Sequence, residues 1–93
     1  MASEVRHAAD ESRYEIVLDG RVVGVADYVD RTDALVFHHT EIDASLRGHG
    51  LGAILVRGAL DDVRARDRTI VPTCWYVAEF VEQHPEYSEL VAG

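Results

Sequence analysis

The hexapeptide Arg47-Gly48-His49-Gly50-Leu51-Gly52, set between an apolar run ending at Ile42 and a helix-like segment from Ala53 to Arg66, constrains this chain more than any other stretch. Three closely spaced glycines let the backbone approach a ligand and take up φ > 0 without Cβ strain. A helix starting directly behind them offers unpaired N–H groups and the positive end of its dipole. The loop reads as an anion cradle, with a phosphate as its natural guest, and a strand–loop–helix unit of this kind belongs in an α/β fold.

The chain has 93 residues, 47% of them apolar, and only two prolines. That is enough for one small domain over 1–93, its core running from about 14 to 91, and too little for two. The formal charge of −8 disfavours nucleic acid and an anionic membrane as partners, because no basic patch offsets the repulsion; a cationic or amine-bearing substrate fits better. One cysteine, Cys74, allows neither an intramolecular disulfide nor a zinc-finger spacing. The N-terminal residues lack an apolar signal region, and no run approaches the ~18 apolar residues of a membrane span, so a cytoplasmic protein is expected.

From Tyr14 the chain runs Tyr-Glu-Ile-Val-Leu, then Asp19-Gly20, then Arg21 to Tyr28, which is the pattern of a hairpin on a tight Asp-Gly turn. The polar cluster Asp30 to Asp33 leads into a longer strand over Ala34 to Ile42, completing an antiparallel meander. Strict alternation puts Leu35, Phe37, His39 and Glu41 on one face and Val36, His38, Thr40 and Ile42 on the other, unless a bulge swaps the parity. In the helix after the loop, Leu55, Val56, Ala59, Leu60 and Val63 form one stripe, Arg57, Asp61, Asp62 and Arg64 lie opposite, and Asp62 can pair with Arg66. Asp67 closes this helix. Thr69-Ile70-Val71 forms a short strand ended by Pro72, next to Cys74. Trp75 to Glu82 reads as a second helix, stopped near His84-Pro85, with a last turn over Pro85 to Leu90.

Spacing discriminates among the phosphate loops. The Walker pattern fails, since no Gly-Lys-Ser/Thr is present and the chain has no lysine. Gly48, Gly50 and Ala53 satisfy the dinucleotide fingerprint G-x-G-x-x-A, but the context is wrong: the following strand ends Pro72-Thr73-Cys74, without the acidic residue that would hold a ribose. What remains is Arg47-x-x-Gly50-x-Gly52. This resembles the pyrophosphate loop of the GCN5-related N-acetyltransferases, R/Q-x-x-G-x-G/A, with Ile42, Arg47, Gly48, Gly50 and Gly52 matching and Ala44 standing where proline is common. Pro72, Cys74 and the ending His84-Pro85-Glu86-Tyr87 narrow the resemblance to the small, NATD1-like (YjdJ-type) branch of that superfamily. It extends from about Tyr14 to Val91. A full-length superfamily member carries two further helices between its early strands, whereas here Asp30 to Asp33 is the whole connection.

The resemblance implies a minimal acyl-CoA N-acyltransferase fold: meander, glycine loop, packed helix, adjacent parallel strand and C-terminal helices. It implies acetyl-CoA as cofactor, gripped by Ile42, Arg47, Gly48, His49, Gly50, Leu51, Gly52 and Ala53, and a primary amine of a small molecule or peptide as acceptor. Glu41 stands where superfamily members often place a base; as an exposed carboxylate it is a poor one, and His38 or His39 is the alternative. Cys74 is either a small apolar filler, or a proton donor, acyl acceptor or pocket lining beside the thioester. Tyr87 and Tyr76 are candidates for the general acid, and His84 reads as a local cap. His38, His39, His49 and Cys74 lack zinc-site spacing, so no metal is expected. Two other readings remain open: a non-enzymatic acyl-CoA sensor and a nucleotide-binding fragment. The chain is expected to be a monomer or a homodimer, since a small sheet leaves an edge strand free.

Overall fold

A computed structural model describes residues 2–92. In chain order it has β1 (Ser3–Ala8), β2 (Arg13–Leu18), β3 (Arg21–Asp30), β4 (Leu35–Ile42), α1 (Leu51–Ala65), β5 (Ile70–Pro72) and α2 (Trp75–Gln83). Short 3-10 turns lie at Ala9–Glu11, Ala44–Leu46 and Pro85–Leu90. The strands make one mixed sheet in the order β1-β2-β3-β4-β5, antiparallel up to β4 and parallel between β4 and β5. No helix among the described residues is long and apolar enough to cross a membrane.

The expected hairpin is β2–β3. Asp19 and Gly20 have φ of 50° and 83°, both positive, as the two-residue turn that matches strand twist requires. Between β3 and β4 the chain closes through reciprocal backbone bonds of Arg31 and Ala34, at 2.9 Å and 3.3 Å. The helical stripe on α1 falls as its period demands: Leu55, Val56, Ala59, Leu60 and Val63 are all buried. The helix begins at Leu51 rather than Ala53, because Gly50 turns the chain early enough for Leu51 to bury itself as well. Asp67 ends it with φ of 58°, and Arg68 N–H reaches back to the Val63 carbonyl. Both helices pack on one face of the sheet, α2 through Val77, Phe80 and Val81. The last segment is a 3-10 turn with Tyr87 and Leu90 buried.

Two features escape strict sequence alternation. β4 pairs Phe37 with Tyr28 and His39 with Asp27, leaving His38 as an unpaired extra residue. This bulge divides the two faces read from the sequence: Leu35 and Phe37 point into the core, but beyond it Thr40 and Ile42 continue that face while His39 and Glu41 turn to the other side. The second is β1, which precedes the expected core because Ser3-Glu4-Val5-Arg6-His7-Ala8 carries only one large aliphatic side chain. Val5 packs so closely on α1 that a Cβ added to Gly58 would lie 2.7–2.9 Å from its side-chain carbons. His7 stacks on Tyr14, with ring centroids 4.3 Å apart, and its Nε2 lies 2.6 Å from the Tyr28 hydroxyl. Tyr14 donates to Asp62 at 2.6 Å, and Arg66 donates to the same carboxylate oxygen at 2.6 Å. The i,i+4 pair anticipated on α1 thus also ties the helix to β2.

Filling the Gly58 notch is expected to push β1 away. Gly58→Val should lower stability by about 1–3 kcal/mol in urea denaturation, although valine is itself tolerated in helices. Burial holds the His7 imidazole below its ordinary value of 6.5, with Arg66 adding to the shift and Asp62 and Asp30 opposing it. The unfolded chain therefore takes up this proton first, so the contribution of His7 is complete above pH 6.5 and is lost as the pH falls through the folded value. Thermal melts across that window should show stability dropping on acidification, with a shallower drop in His7→Gln.

Candidate active site

β4 outruns its parallel neighbour. β5 pairs with it only over Leu35, Val36 and Phe37, because Pro72 ends the short strand. Thr73 and Cys74 then both donate their backbone N–H to the Phe37 carbonyl, at 3.0 Å and 2.9 Å. From His38 onward one side of β4 lacks a strand partner among the described residues. A cleft of about 680 Å³ opens there, lined by His39 to Ile42 of β4, Leu46 to Gly48 and Gly50 to Gly52 of the loop and α1, and Trp75 and Tyr76 of α2. This is within the range of small-molecule sites.

The loop entering α1 is held by Asp43. Its carboxylate accepts from Ser45 N–H at 3.0 Å and from the Ser45 hydroxyl at 2.8 Å, bracing the 3-10 turn at Ala44, where resembling loops often have proline. These bonds, helped by Arg21 and opposed by desolvation, hold the Asp43 carboxyl below the usual carboxylate range. Gly50 is the N-cap of α1 with φ of 76°, and Gly48 has φ of 89°. The first amide of α1 to find a backbone acceptor is Ile54, which bonds the Gly50 carbonyl at 3.2 Å. The amides of Gly48, His49, Gly50, Leu51, Gly52 and Ala53 have no hydrogen-bond acceptor among the described residues. Arg47 lines the same cleft, and its guanidinium makes no ion pair among the described residues. Six free donors, a helix dipole and an uncommitted arginine give the loop the chemistry to hold an anion.

Gly52 plays a different part from the other two loop glycines. A Cβ there would stand 2.6 Å from the Tyr76 hydroxyl oxygen, so its lack of a side chain lets the tyrosine close one wall of the cleft. Burial, followed by the charge of Glu79, pushes the Tyr76 phenol above its ordinary value and keeps it protonated. Opposite, His39 Nε2–H donates to Glu41 Oε1 at 3.1 Å on the lip of the cleft.

The residues singled out from the sequence are only partly brought together. Glu41, Ile42, Arg47, Gly48, Gly50, Leu51 and Gly52 line the cleft; the side chains of His49 and Ala53 do not. Cys74 is half-buried just behind the wall, its Sγ 3.5 Å from Thr40 Oγ1. Tyr87 is placed elsewhere: buried on the outer flank of α1, it donates to Asp61 at 2.6 Å and accepts from Arg57 at 3.2 Å. His84 caps α2, its Nδ1–H donating to the Phe80 carbonyl at 2.8 Å. Sequence reasoning missed Thr40, Leu46 and Trp75 as cleft residues. Trp75 is 73% exposed at the rim, and a tryptophan directly after the end of a strand was the signal available.

A short strand stopped by proline, a parallel neighbour that runs on, and a glycine-bounded helix start facing the gap define an α/β protein with a ligand-sized cleft at the end of its parallel strands. Comparison with known proteins narrows this class. A profile of the GCN5-related N-acetyl-transferase family matches residues 13–90. Protein NATD1 of Bos taurus is 32% identical over 84 residues, covering 87% of this chain and 74% of the relative. Protein NATD1 of Danio rerio is 30% identical over 92 residues, covering 94% and 83%. The solution structure of a GCN5-like putative N-acetyltransferase from Staphylococcus aureus, at 18% identity, shares the fold with a TM-score of 0.71 over 97% of this chain and 88% of that one. The chain belongs to the GCN5-related N-acetyltransferase family and carries an N-acetyltransferase domain.

The two kinds of glycine separate in double variants. Gly50→Ala places a Cβ in open space but in the left-handed region, and should lose about 1–2 kcal/mol whether or not Tyr76 is present. Gly52→Ala should be destabilising beside Tyr76 and lose most of that penalty in a Tyr76→Ala background, as read by urea denaturation.

Proposed function

We propose that this protein binds acetyl-CoA in the cleft beside β4 and catalyses transfer of the acetyl group to a primary amine of a small molecule or peptide. The observation that carries this reading is the run of unpaired amides from Gly48 to Ala53, with Arg47 beside them, at the mouth of a gap between parallel strands. Those donors suit a diphosphate, and the gap suits the narrow pantetheine arm that follows it. When bound, acetyl-CoA supplies a thioester carbonyl that an amine can attack.

The chain's own groups meet the remaining needs. The free edge of β4 beyond Phe37 offers main-chain groups along the gap, so the acyl arm can lie as an added strand would. The acceptor approaches from the lip of His39 and Glu41, whose carboxylate has no arginine partner among the described residues and so attracts a cationic amine, whereas Asp27 and Asp43 of the adjoining groove are already paired with Arg13 and Arg21. Glu41 takes a proton from the ammonium form, directly or through water, with His39 in hydrogen-bond contact as its neighbour. The neutral amine would then form the nitrogen–carbon bond and carbon–sulfur cleavage would release a thiolate, to which the protonated Tyr76 can donate, while the second proton shed by the amide nitrogen returns through water to the Tyr76 phenolate. Tyr76 takes the acid role because it lines the cleft, whereas the hydroxyl of Tyr87 is engaged by Asp61 and Arg57. Cys74 is a brace: it holds Thr40 from behind and does not line the cleft.

Coenzyme A should raise the melting temperature, while NAD and ATP should not, and Arg47→Ala should weaken that shift. With acetyl-CoA and a panel of primary amines, thiol release should fall by about a hundredfold or more in Glu41→Gln. Cys74→Ala should keep activity within a few-fold. No thermal response to coenzyme A would overturn the cofactor assignment. Full activity in Glu41→Gln would remove the carboxylate from the mechanism, and an inactive Cys74→Ala that still folds and binds coenzyme A would restore the thiol to it.

A further inference from the structure

We propose that the exposed edge of β1 is a homodimer interface, on which a second copy of this chain pairs antiparallel through a two-fold axis at Val5. Among the described residues β1 is the terminal strand of the sheet and pairs only with β2, in an unbroken register from Ser3↔Leu18 to Ala8↔Arg13. The bond from Asp19 N–H to the Ala2 carbonyl continues that ladder by one step and fixes its phase: the even-numbered residues of β1 turn their backbone groups toward β2. The N–H and C=O groups of Ser3, Val5 and His7 therefore face outward along the edge. No bulge twists this edge away and no proline blocks it, which leaves charge as its one means of choosing a partner.

The charges select a second copy and a single register. Residues directly opposite in an antiparallel pair share a face, so a symmetric pairing must be centred on a residue and joins positions of like parity. Centring on Glu4 sets Glu4 against Glu4 of the second copy; centring on Arg6 sets Arg6 against Arg6. Both oppose like charges. Centring on Val5 sets Glu4 against Arg6 twice, Val5 against Val5 and Ser3 against His7, and uses the whole strand. Within one chain Arg6 already donates to Glu15 of β2 at 3.0 Å, while Glu4 makes no ion pair among the described residues. In the paired sheet, Arg6 lies between Glu15 of its own chain and Glu4 of the second copy, so charges alternate across the joint on the face away from the helices. On the helix face the joint borders apolar surface, because Val5, Ala53, Ile54 and Gly58 line a shared groove and Ile54 is exposed. β1 and the cleft lie at opposite ends of the strand order, so pairing leaves both clefts open.

Sedimentation velocity of the purified full chain over a concentration series tests this directly. The wild-type chain is expected to dimerise. Glu4→Arg removes no contact within the chain and opposes two like-charged pairs in the dimer, so it should weaken association by about thirtyfold. Arg6→Glu should do the same, and the Glu4→Arg/Arg6→Glu double variant should regain much of the lost affinity. Because Arg6→Glu also breaks the Arg6–Glu15 pair, thermal melts of each variant separate loss of dimer from loss of fold. A wild-type chain that stays monomeric at the highest soluble concentration overturns the proposal. So does a dimer indifferent to Glu4→Arg, or a double variant no better than Glu4→Arg alone.

Discussion

One carbonyl organises the site. The oxygen of Phe37 receives the amides of both Thr73 and Cys74 at the point where Pro72 has just ended β5. Had the parallel ladder continued, β5 would have paired with the rest of β4 and sealed the sheet. Proline ends it instead, the two following amides are satisfied on a single acceptor, and α2 starts immediately. The backbone accounts are closed on one side of the junction, while on the other β4 runs on alone from His38 to Ile42. Everything assigned to the cleft depends on that separation: the loop behind Ile42, the start of α1, and the wall made by Tyr76 against Gly52.

Phe37 is also the inner end of an aromatic stack that reaches the far edge of the sheet. Its ring lies 5.6 Å from that of Tyr28 and 6.1 Å from that of Tyr14, and Tyr14 in turn stacks on His7 at 4.3 Å. These contacts run across β4, β3, β2 and β1 on the helix-covered face. Tyr14 is buried, and burial together with its bond to Asp62 pushes its phenol far above the ordinary range, so it remains a neutral donor under all native conditions. The N-terminal strand is therefore linked through packed rings to β4, the strand whose far end borders the cleft. A small sheet with only two covering helices needs such a layer, because its core cannot draw on a second face.

Much of this was legible in the residues. The Asp19-Gly20 turn, the long third strand of the meander, the α1 stripe and the proline-stopped strand each follow from a local rule with a single solution. The glycine loop ahead of α1 was legible as well, because the missing Gly-Lys-Ser/Thr excluded a Walker loop and the strand context excluded the dinucleotide fingerprint. β1 was not, because a polar edge strand lacks an apolar period; Val5 is explained only by Gly58, and His7 only by Tyr14 and Tyr28. The side on which Glu41 lies turned on the bulge at His38, and a bulge leaves no mark in an alternating pattern. Tyr87 and Tyr76 were indistinguishable as sequence, each an aromatic near the C-terminus. What separates them is that Tyr87 comes to rest against Asp61 and Arg57, on a helix flank whose charges read from the sequence as merely solvated.

The brevity of the β3–β4 connection has a consequence for recognition. Where larger members of the superfamily resembled by this chain insert helices, here the strands are joined across Arg31 and Ala34 by a tight turn. In the proposed reaction the acceptor side is thus left to residues on β3, β4 and the turn just beyond β4, with His39 and Glu41 at the lip. Such a surface has no enclosing wall with which to exclude a substrate by shape, and shape exclusion of one methylene amounts to only about 1–3 kcal/mol even in a closed pocket. It can still draw in a cation, because the Glu41 carboxylate, which has no arginine partner among the described residues, acts over several ångströms and through intervening water, whereas Asp27 and Asp43 are already paired with Arg13 and Arg21. In the proposed reaction, discrimination rests on the charge of the amine and on its reach to the gap beside Thr40. In that proposed complex the diphosphate of the donor is held more specifically, by the amides of the α1 start, than the acceptor is by the lip of His39 and Glu41.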